Sequence, residues 1–414
     1  MKKLLLINSV CGIGSTGKIC SKIAHQYESE GYEVKIAYGR IKRVSEDSRK
    51  YAVRIGTFFD VCIHALFTLI FDKHGLGSKI STIKFIKWAE EFNPDVLWLH
   101  NIHGFFINYE ILFEWIKTRP NMEIKWTLHD CWSFTGHCSH FLYSGCEKWK
   151  TGCYKCPSKR EYPPTLLFDN SKNNYNRKKK AFSGIKNLEL ITPSAWLANL
   201  TRESFLRDYP VTVINNTVNT EIFKKTESSL RAELNLQEKK VILAVASPWT
   251  ERKGLFDLLL LSELLNKNFA IVIIGLTEKQ ITKYSKKIYS KEKLIIEKQN
   301  LLNSYDNDIC YVKKIDCNYV ISKGIKSIYQ IFVKLFKDDK AIGRIIGEGA
   351  EKILLSRTDS QKTLAQYYSM ADYFINPTYE DNFPTVNLEA RACGTPVITY
   401  DTGGCTETLE TVIK

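Results

Sequence analysis

Asp381 and Glu389 stand with seven residues between them, in the stretch NPTYEDNFPTVNLEARACGTPVITYDTGG that runs from Asn376 to Gly404. Glu380 adds a third acid next to the first. Carboxylates accept hydrogen bonds from paired hydroxyls, so two of them beside a sheet edge suit a polyhydroxylated ligand. The pattern predicts a strand end, a polar loop carrying Asp381 and a short helix carrying Glu389. Gly394 then stops the helix and Pro396 opens a buried strand. A helix N-terminus beside the acids favours phosphate. Two acids alone also read as a solvated loop before an ordinary helix. Further up the chain, Arg252 and Lys253 precede Gly254 in PWTERKGLFDLL. Two cations at a strand-to-helix turn suit a diphosphate, and the alternative is a solvated basic turn.

CGIGSTGKI at 11–19 holds a second glycine-rich turn. Its G-x-x-x-x-G-K spacing is that of a P-loop, but Ile19 stands where Ser or Thr would hold magnesium. The turn at Gly14 and Gly17 still offers backbone N–H groups to a phosphate, or it is a tight turn with no ligand. All eight histidines fall in the first 140 residues, six of them from 74 to 140. His129 and Asp130 end a predicted strand in WTLHDCWSFTGHC. A strand-end imidazole can donate to a sugar hydroxyl. The plainer reading has His129 capping its own loop, with Asp130 orienting it.

Cys138, Cys146, Cys153 and Cys156 are spaced C-x7-C-x6-C-x2-C. Such a set can make a tetrahedral, structural zinc site, with His137 and His140 as substitute ligands. The segment 131–157 shows no obvious hydrophobic core, so a metal would give it order. Four reduced, partly buried thiols are the alternative. With no secretion signal in the sequence, the twelve cysteines do not read as a disulfide framework.

The elements that position these groups follow from the apolar pattern. Strands are predicted at 2–10, 33–39, 95–100, 123–129 and 188–193, alternating with helical stretches, and again from 241. This is α/β, with parallel, doubly wound sheets whose ligands bind at the C-terminal strand ends. The 414 residues suffice for two domains, and 44% hydrophobic with 25% charged content is ordinary for a soluble protein. The most apolar segment, 55–71, is broken by Asp60 and His64 and is too short to span a bilayer. It reads as a buried helix or as an interfacial one. The net charge of +14 needs a partner, and small basic clusters lie at 40–54, 177–180 and 283–298. No aromatic-and-basic repeat suggests base stacking, so nucleic acid is not expected. A membrane surface and a nucleotide diphosphate fit better.

The run ACGTPVITYDTGG, with an acid, seven residues and Glu389 before it in the LEARACGTPVITYDTGG stretch, resembles the donor-binding signature of family 4 (group 1) glycosyltransferases. Asp381 stands where that family usually has Glu. HNIHGFFIN and WTLHDCWSFTGHC resemble members of the bacterial surface polysaccharide type. Lys253-Gly254 matches the family's phosphate turn, although Ser247 and Pro248 stand where an Arg is usual, and VTVINNTVNTEIF resembles its crossover between domains. The resemblance implies two Rossmann-like domains facing a cleft, the GT-B arrangement. It implies an acceptor-side domain at 1–219 and a nucleotide-sugar domain at 220–414. An insertion at about 282–349 would pack outside the sheet. The resemblance implies further helices beyond the position of Lys414, so a truncated C-terminus is the expectation here.

The function so implied is retaining transfer of a sugar from a nucleotide-diphosphate donor to a lipid-linked saccharide, with no obligatory metal. Lys253 and Arg252 would neutralise the diphosphate, together with the turn at Gly14 and Gly17. Glu389 would hold the ribose. Asp381 or Glu380 would hold the sugar hydroxyls, and His129 would sit over the sugar. The expected place is cytoplasmic, peripheral at the inner face of a bacterial membrane with anionic lipid. The alternative is a catalytically impaired member that holds nucleotide or glycan.

Overall fold

The computed structural model describes residues 1–40, 43–285, 311–336, 349–358 and 360–413. The chain divides into two compact units, Met1–Asn215 and Asn216–Lys414. The change of unit falls at the Asn215-Asn216 pair of the predicted crossover.

The first unit is built on seven strands: β1 (Lys3–Ile7), β2 (Glu33–Tyr38), β3 (Ala52–Arg54), β4 (Val96–Leu99), β5 (Glu123–Thr127), β6 (Leu188–Thr192) and β7 (Val211–Val213). Their order is β3-β2-β1-β4-β5-β6-β7, and every pairing is parallel. The order reverses at β1, which lies between β2 and β4. Strands such as VLWL are buried along their whole length because helices cover both faces. Leu5, Ile7, Leu97 and Trp126 belong to one core, and Leu4, Leu6, Val96 and Trp98 belong to another.

The second unit holds β8 (Lys240–Val245), β9 (Phe269–Leu276), β10 (Val312–Ile315), β11 (Asn318–Ile321), β12 (Glu351–Ser356), β13 (Tyr373–Asn376) and β14 (Val397–Tyr400). Their order is β10-β11-β14-β13-β8-β9-β12. All pairs are parallel except the hairpin of β10 with β11. β9 is an eight-residue run with every side chain buried.

The expected insertion is corrected where it is described. Residues 311–336 do not pack outside the sheet. β11 is the parallel neighbour of β14, and helix Ile325–Phe336 buries Ile328, Ile331 and Phe332 in the same core as β9. The remaining residues of that expectation, 286–310 and 337–348, lie outside the described residues.

Candidate functional site

The predicted donor loop is held from three sides in the second unit. The 3-10 turn Glu251–Lys253 follows β8, and helix Leu255–Leu264 starts at Gly254. Gly254 has φ +75, and a Cβ there would run into the Pro377 carbonyl. Only glycine lets the cationic turn lie this close to the 377–381 loop. Contacts then lock the two segments. Arg252 Nη1 donates to the Glu380 carbonyl at 2.5 Å, and Tyr379 N–H donates to the Arg252 carbonyl at 2.8 Å. Lys253 Nζ forms an ion pair with Asp381 Oδ2.

On its other flank, Asp381 accepts the Gly404 N–H through its carbonyl and the Phe383 N–H through Oδ1. Gly403, at φ +55, lies where a Cβ would meet the Asp381 carbonyl. The TGG turn after β14 is thus pressed onto the loop that carries the acid. Beneath the loop, Tyr379 and Tyr400 hydroxyls donate to one oxygen of Asp257, at 2.8 and 2.5 Å. Burial raises the Asp257 carboxyl above its ordinary range, and the two hydroxyls only partly offset it.

Glu389 lies on helix Thr385–Ala392, which follows Pro384 and has no acid in its first turn. The Tyr368 hydroxyl donates to Glu389 Oε2 at 3.0 Å. Tyr368 is fully buried on helix Gln361–Met370, so this donor is fixed. Asn387 links the Glu389 helix to β13 through Asn376 and to Thr408 on its other side.

The predicted residues therefore divide. Asp381, Lys253 and Arg252 meet at one loop, and Glu389 stands on the helix that follows it. Glu380 is fully buried, with its carbonyl taken by Arg252 and Thr378. In this conformation its side chain is withdrawn from solvent, whereas Asp381 is partly exposed. Tyr368, Asp257, Tyr379 and Tyr400 were not singled out from the sequence. Asp257 did carry a signal, as the lone acid in the apolar run LFDLLLL. Tyr368 carried none.

In the first unit, Gly14 opens helix Gly14–Ser29 at φ +66 with open space where a Cβ would point. Gly17 is buried, and a Cβ there would press on Val10 and the Gly12 backbone. Its smallness serves the closure of the turn. His129 follows β5 with Nε2 3.0 Å from His100 Nδ1. Burial pushes the His129 imidazole down to about 4, so it is neutral at pH 7. Asp130, the next residue, also engages His103 and Trp132. Its Oδ2 is 2.9 Å from His103 Nε2, and its Oδ1 accepts the Trp132 N–H. Burial alone would raise Asp130, but His103 outweighs it and the carboxyl sits at about 2. The two strand ends, 100–103 and 126–130, line one small pocket with Trp132 and Ser133.

The cysteine segment is ordered by side chains that the sequence reading overlooked. Phe134, Phe141 and Trp149 are buried and packed together: Phe141 stacks on Trp149 with ring centroids 4.9 Å apart, and Phe134 lies tilted against Trp149 at 5.3 Å. Buried Lys178 donates to the carbonyls of Trp132 and Thr135, and burial pushes it down to about 7. His137 Nδ1 lies 2.5 Å from the buried Asp72 carboxylate. The expectation of a segment without a core is therefore corrected. Cys138, Cys146, Cys153 and Cys156 line a single pocket with His137, and Gly136 N–H donates to Cys153 Sγ at 3.2 Å. Among the described residues, no three or more His, Cys, Asp or Glu are grouped to hold a metal ion.

Residues 292–411 match the family of Glycosyl transferases group 1. A putative colanic acid biosynthesis glycosyl transferase, WcaC of Escherichia coli K12, is 40% identical over 78 residues, which is 18% of this chain and 19% of that protein. An N,N'-diacetylbacillosaminyl-diphospho-undecaprenol alpha-1,3-N-acetylgalactosaminyltransferase of Campylobacter jejuni is 29% identical over 102 residues, 21% of this chain and 26% of that protein. The chain thus spans about a fifth to a quarter of the length of these curated relatives. Among solved structures, Anabaena HepE in complex with UDP superimposes with a TM-score of 0.52 at 14% identity, covering 98% of this chain and 82% of that one. That likeness shows the fold. Two Rossmann-like α/β units of this kind are the fold of the GT-B glycosyltransferases.

Proposed function

We propose that this chain is a retaining glycosyltransferase. It moves a sugar from a nucleotide-diphosphate donor to a lipid-linked saccharide in surface polysaccharide synthesis. The observation that carries this reading is the locked pair of segments 251–254 and 377–381. They bring a lysine, an acid and a helix start together at the C-terminal end of β8 and β13. The family match over 292–411 covers the same loop and Glu389.

The chemistry follows from charge. Departure of the diphosphate is the costly event, and fixed positive charge at Lys253 lowers its cost. Glu389, oriented by Tyr368, accepts from the two ribose hydroxyls. Asp381 exchanges Lys253 for sugar hydroxyls when donor enters. By resemblance, His129 is assigned to the donor sugar, where a neutral imidazole can donate one hydrogen bond. The UDP bound to HepE and the undecaprenol named for the Campylobacter relative support the donor and acceptor classes. Such an acceptor puts the work at the inner face of a bacterial membrane. A structural zinc at the four cysteines remains part of the proposal. It rests on their spacing and shared pocket, would require the thiols to gather closer than they are grouped here, and has no part in transfer.

The test is turnover with a panel of nucleotide-sugars on membrane lipid extract. Transfer by the wild type that is lost in Lys253→Ala is the expected result. Nucleotide-sugar binding with no transfer across the panel would instead favour a binding member of the fold.

A further inference from the structure

Helix Phe58–Phe71 is built inside out. Its buried face carries Val61 together with the polar His64 and Thr68. Its outer face carries Phe58, Phe59, Ile63, Leu66, Phe67 and Phe71, with Phe59 76% exposed. The polar groups inside are satisfied. His64 Nε2 accepts the N–H groups of Gly75 and Gly77, its Nδ1 lies 3.0 Å from Ser78 Oγ, and Thr68 donates to the His64 carbonyl. A Cβ at Gly77 would sit against the His64 ring, so the helix is pinned closely from below. Packing therefore fixes the apolar face outward rather than leaving it loosely placed.

Two neighbours extend that face. The loop 166–168 is hydrogen-bonded along the end of the helix, Leu166 N–H to the Leu69 carbonyl and Phe168 N–H to the Ile70 carbonyl. Leu167 is 67% exposed, and Phe168 stacks on Phe71 at 5.8 Å. At the other end, Ser81 of helix Lys79–Phe92 lies against Gly56 and Asp60. That helix exposes Ile80 and Ile83 on the same stripe as Lys84 and Lys87. A contiguous exposed apolar patch of this extent marks a surface made to be covered.

We infer that this face lies on an anionic lipid bilayer, with helix Phe58–Phe71 flat in the headgroup region. Fourteen residues reach only about 21 Å as a helix, and no helix among the described residues is long and apolar enough to cross a membrane. An amphipathic helix of this length lies in the interface plane. The charge decides between lipid and a second copy of the chain. Lys79, Lys84 and Lys87 are exposed beside the patch, and Lys73 Nζ lies 5.7 Å from the centre of the Phe71 ring. The acids of the helix ends are engaged elsewhere. Asp60 caps the helix through Thr57, and Asp72 holds His137 and the Asn170 N–H. Two copies meeting here would set lysine against lysine, whereas anionic headgroups attract each one.

This surface is independent of the transfer reading, because plain vesicles contain no glycan acceptor. The experiment is co-sedimentation of the full chain with phosphatidylcholine vesicles, with and without phosphatidylglycerol. Binding is expected with phosphatidylglycerol at low salt and should fall as salt rises. Phe59→Asp with Leu167→Asp should weaken it at least about tenfold, since a buried apolar side chain is worth roughly 1.5–3 kcal/mol. Lys79→Gln, Lys84→Gln and Lys87→Gln together should remove the preference for anionic lipid. Both sets change exposed positions, and an unchanged circular dichroism spectrum confirms the fold. The inference is overturned if the wild type stays in the supernatant, or if the double aspartate variant binds equally well. It is also overturned if light scattering finds a dimer that the same variant dissociates.

Discussion

Lys253 and Asp381 are joined by an ion pair although 128 residues separate them in the chain. Each is assigned to a different part of the donor, the lysine to the diphosphate and the acid to the sugar. In this structure each is the other's partner. A diphosphate must therefore compete with Asp381 for Lys253, and a sugar hydroxyl must reach an acid that is already charge-paired. Both side chains are only about one-fifth exposed, so the pair is largely shielded from water and a ligand must replace the charge contact that it displaces.

The first prediction follows from that competition. Lys253→Ala should weaken nucleoside diphosphate binding by roughly 1.5–3 kcal/mol, the worth of one charge-assisted contact. Asp381→Asn should leave that affinity equal or higher, because it frees the lysine, yet it should weaken binding of the sugar-bearing donor. Calorimetry with the two ligands separates these effects. Unchanged affinity in Lys253→Ala removes the lysine from the site.

A second prediction concerns Glu389 and its buried partner. Glu389→Gln keeps the shape but loses the charge that strengthens hydrogen bonds from two hydroxyls. It should weaken free nucleotide and nucleotide-sugar alike. Tyr368→Phe removes only the hydroxyl that holds Oε2. It should weaken both ligands in the same ratio by about 1 kcal/mol. If Tyr368→Phe acts on one ligand alone, Glu389 is not at the ribose.

Much of the architecture was legible because parallel strands buried on both faces read as continuous apolar runs. FAIVIIGL became β9 and VLWL became β4 for this reason. β10 and β11 were missed for the opposite reason. Among the described residues VKKI is an edge strand, and a sequence with two adjacent lysines does not look like sheet. The aromatic core of the cysteine segment was invisible because Phe134, Phe141 and Trp149 follow no period. The direction of the 58–71 helix was equally hidden. Its composition said apolar, and only the placement of His64 beneath it showed that the apolar side faces out. Of the donor site, the acids and cations were readable by type, but their pairing and the Tyr368 support were contacts at long range.

The third prediction addresses the cysteine segment. Its order is assigned to packing, so Trp149→Ala should cost about 3–5 kcal/mol of stability whether or not a metal is bound. The zinc proposal is checked separately by elemental analysis of protein made with zinc supplied. A stoichiometric ion that is lost in Cys156→Ser supports it. No zinc in the wild type removes it and leaves four thiols packed around His137.

The last prediction is a pH dependence carried by His64. Burial pushes its imidazole down from the ordinary value near 6.5 to about 4. The neutral ring is also the form that accepts the Gly75 and Gly77 N–H groups. The depressed value fixes the sign. Above pH 6.5 neither the folded nor the unfolded chain protonates this ring, and its contribution is complete. Between 6.5 and 4 the unfolded chain takes up the proton while the folded chain does not, so stability falls with pH. The full loss is roughly 3 kcal/mol, with about 2 kcal/mol of it gone by pH 5. Seven of the eight tryptophans lie before residue 216, so tryptophan fluorescence during denaturant unfolding reports on the first unit. His100 and His129 are also held low by burial, so the wild type should lose stability between pH 7 and pH 5 from several rings at once. His64→Gln is less stable at pH 7 but should lose about 2 kcal/mol less over that interval. An equal loss in the two proteins would show that His64 is protonated as readily in the folded chain as in the unfolded one.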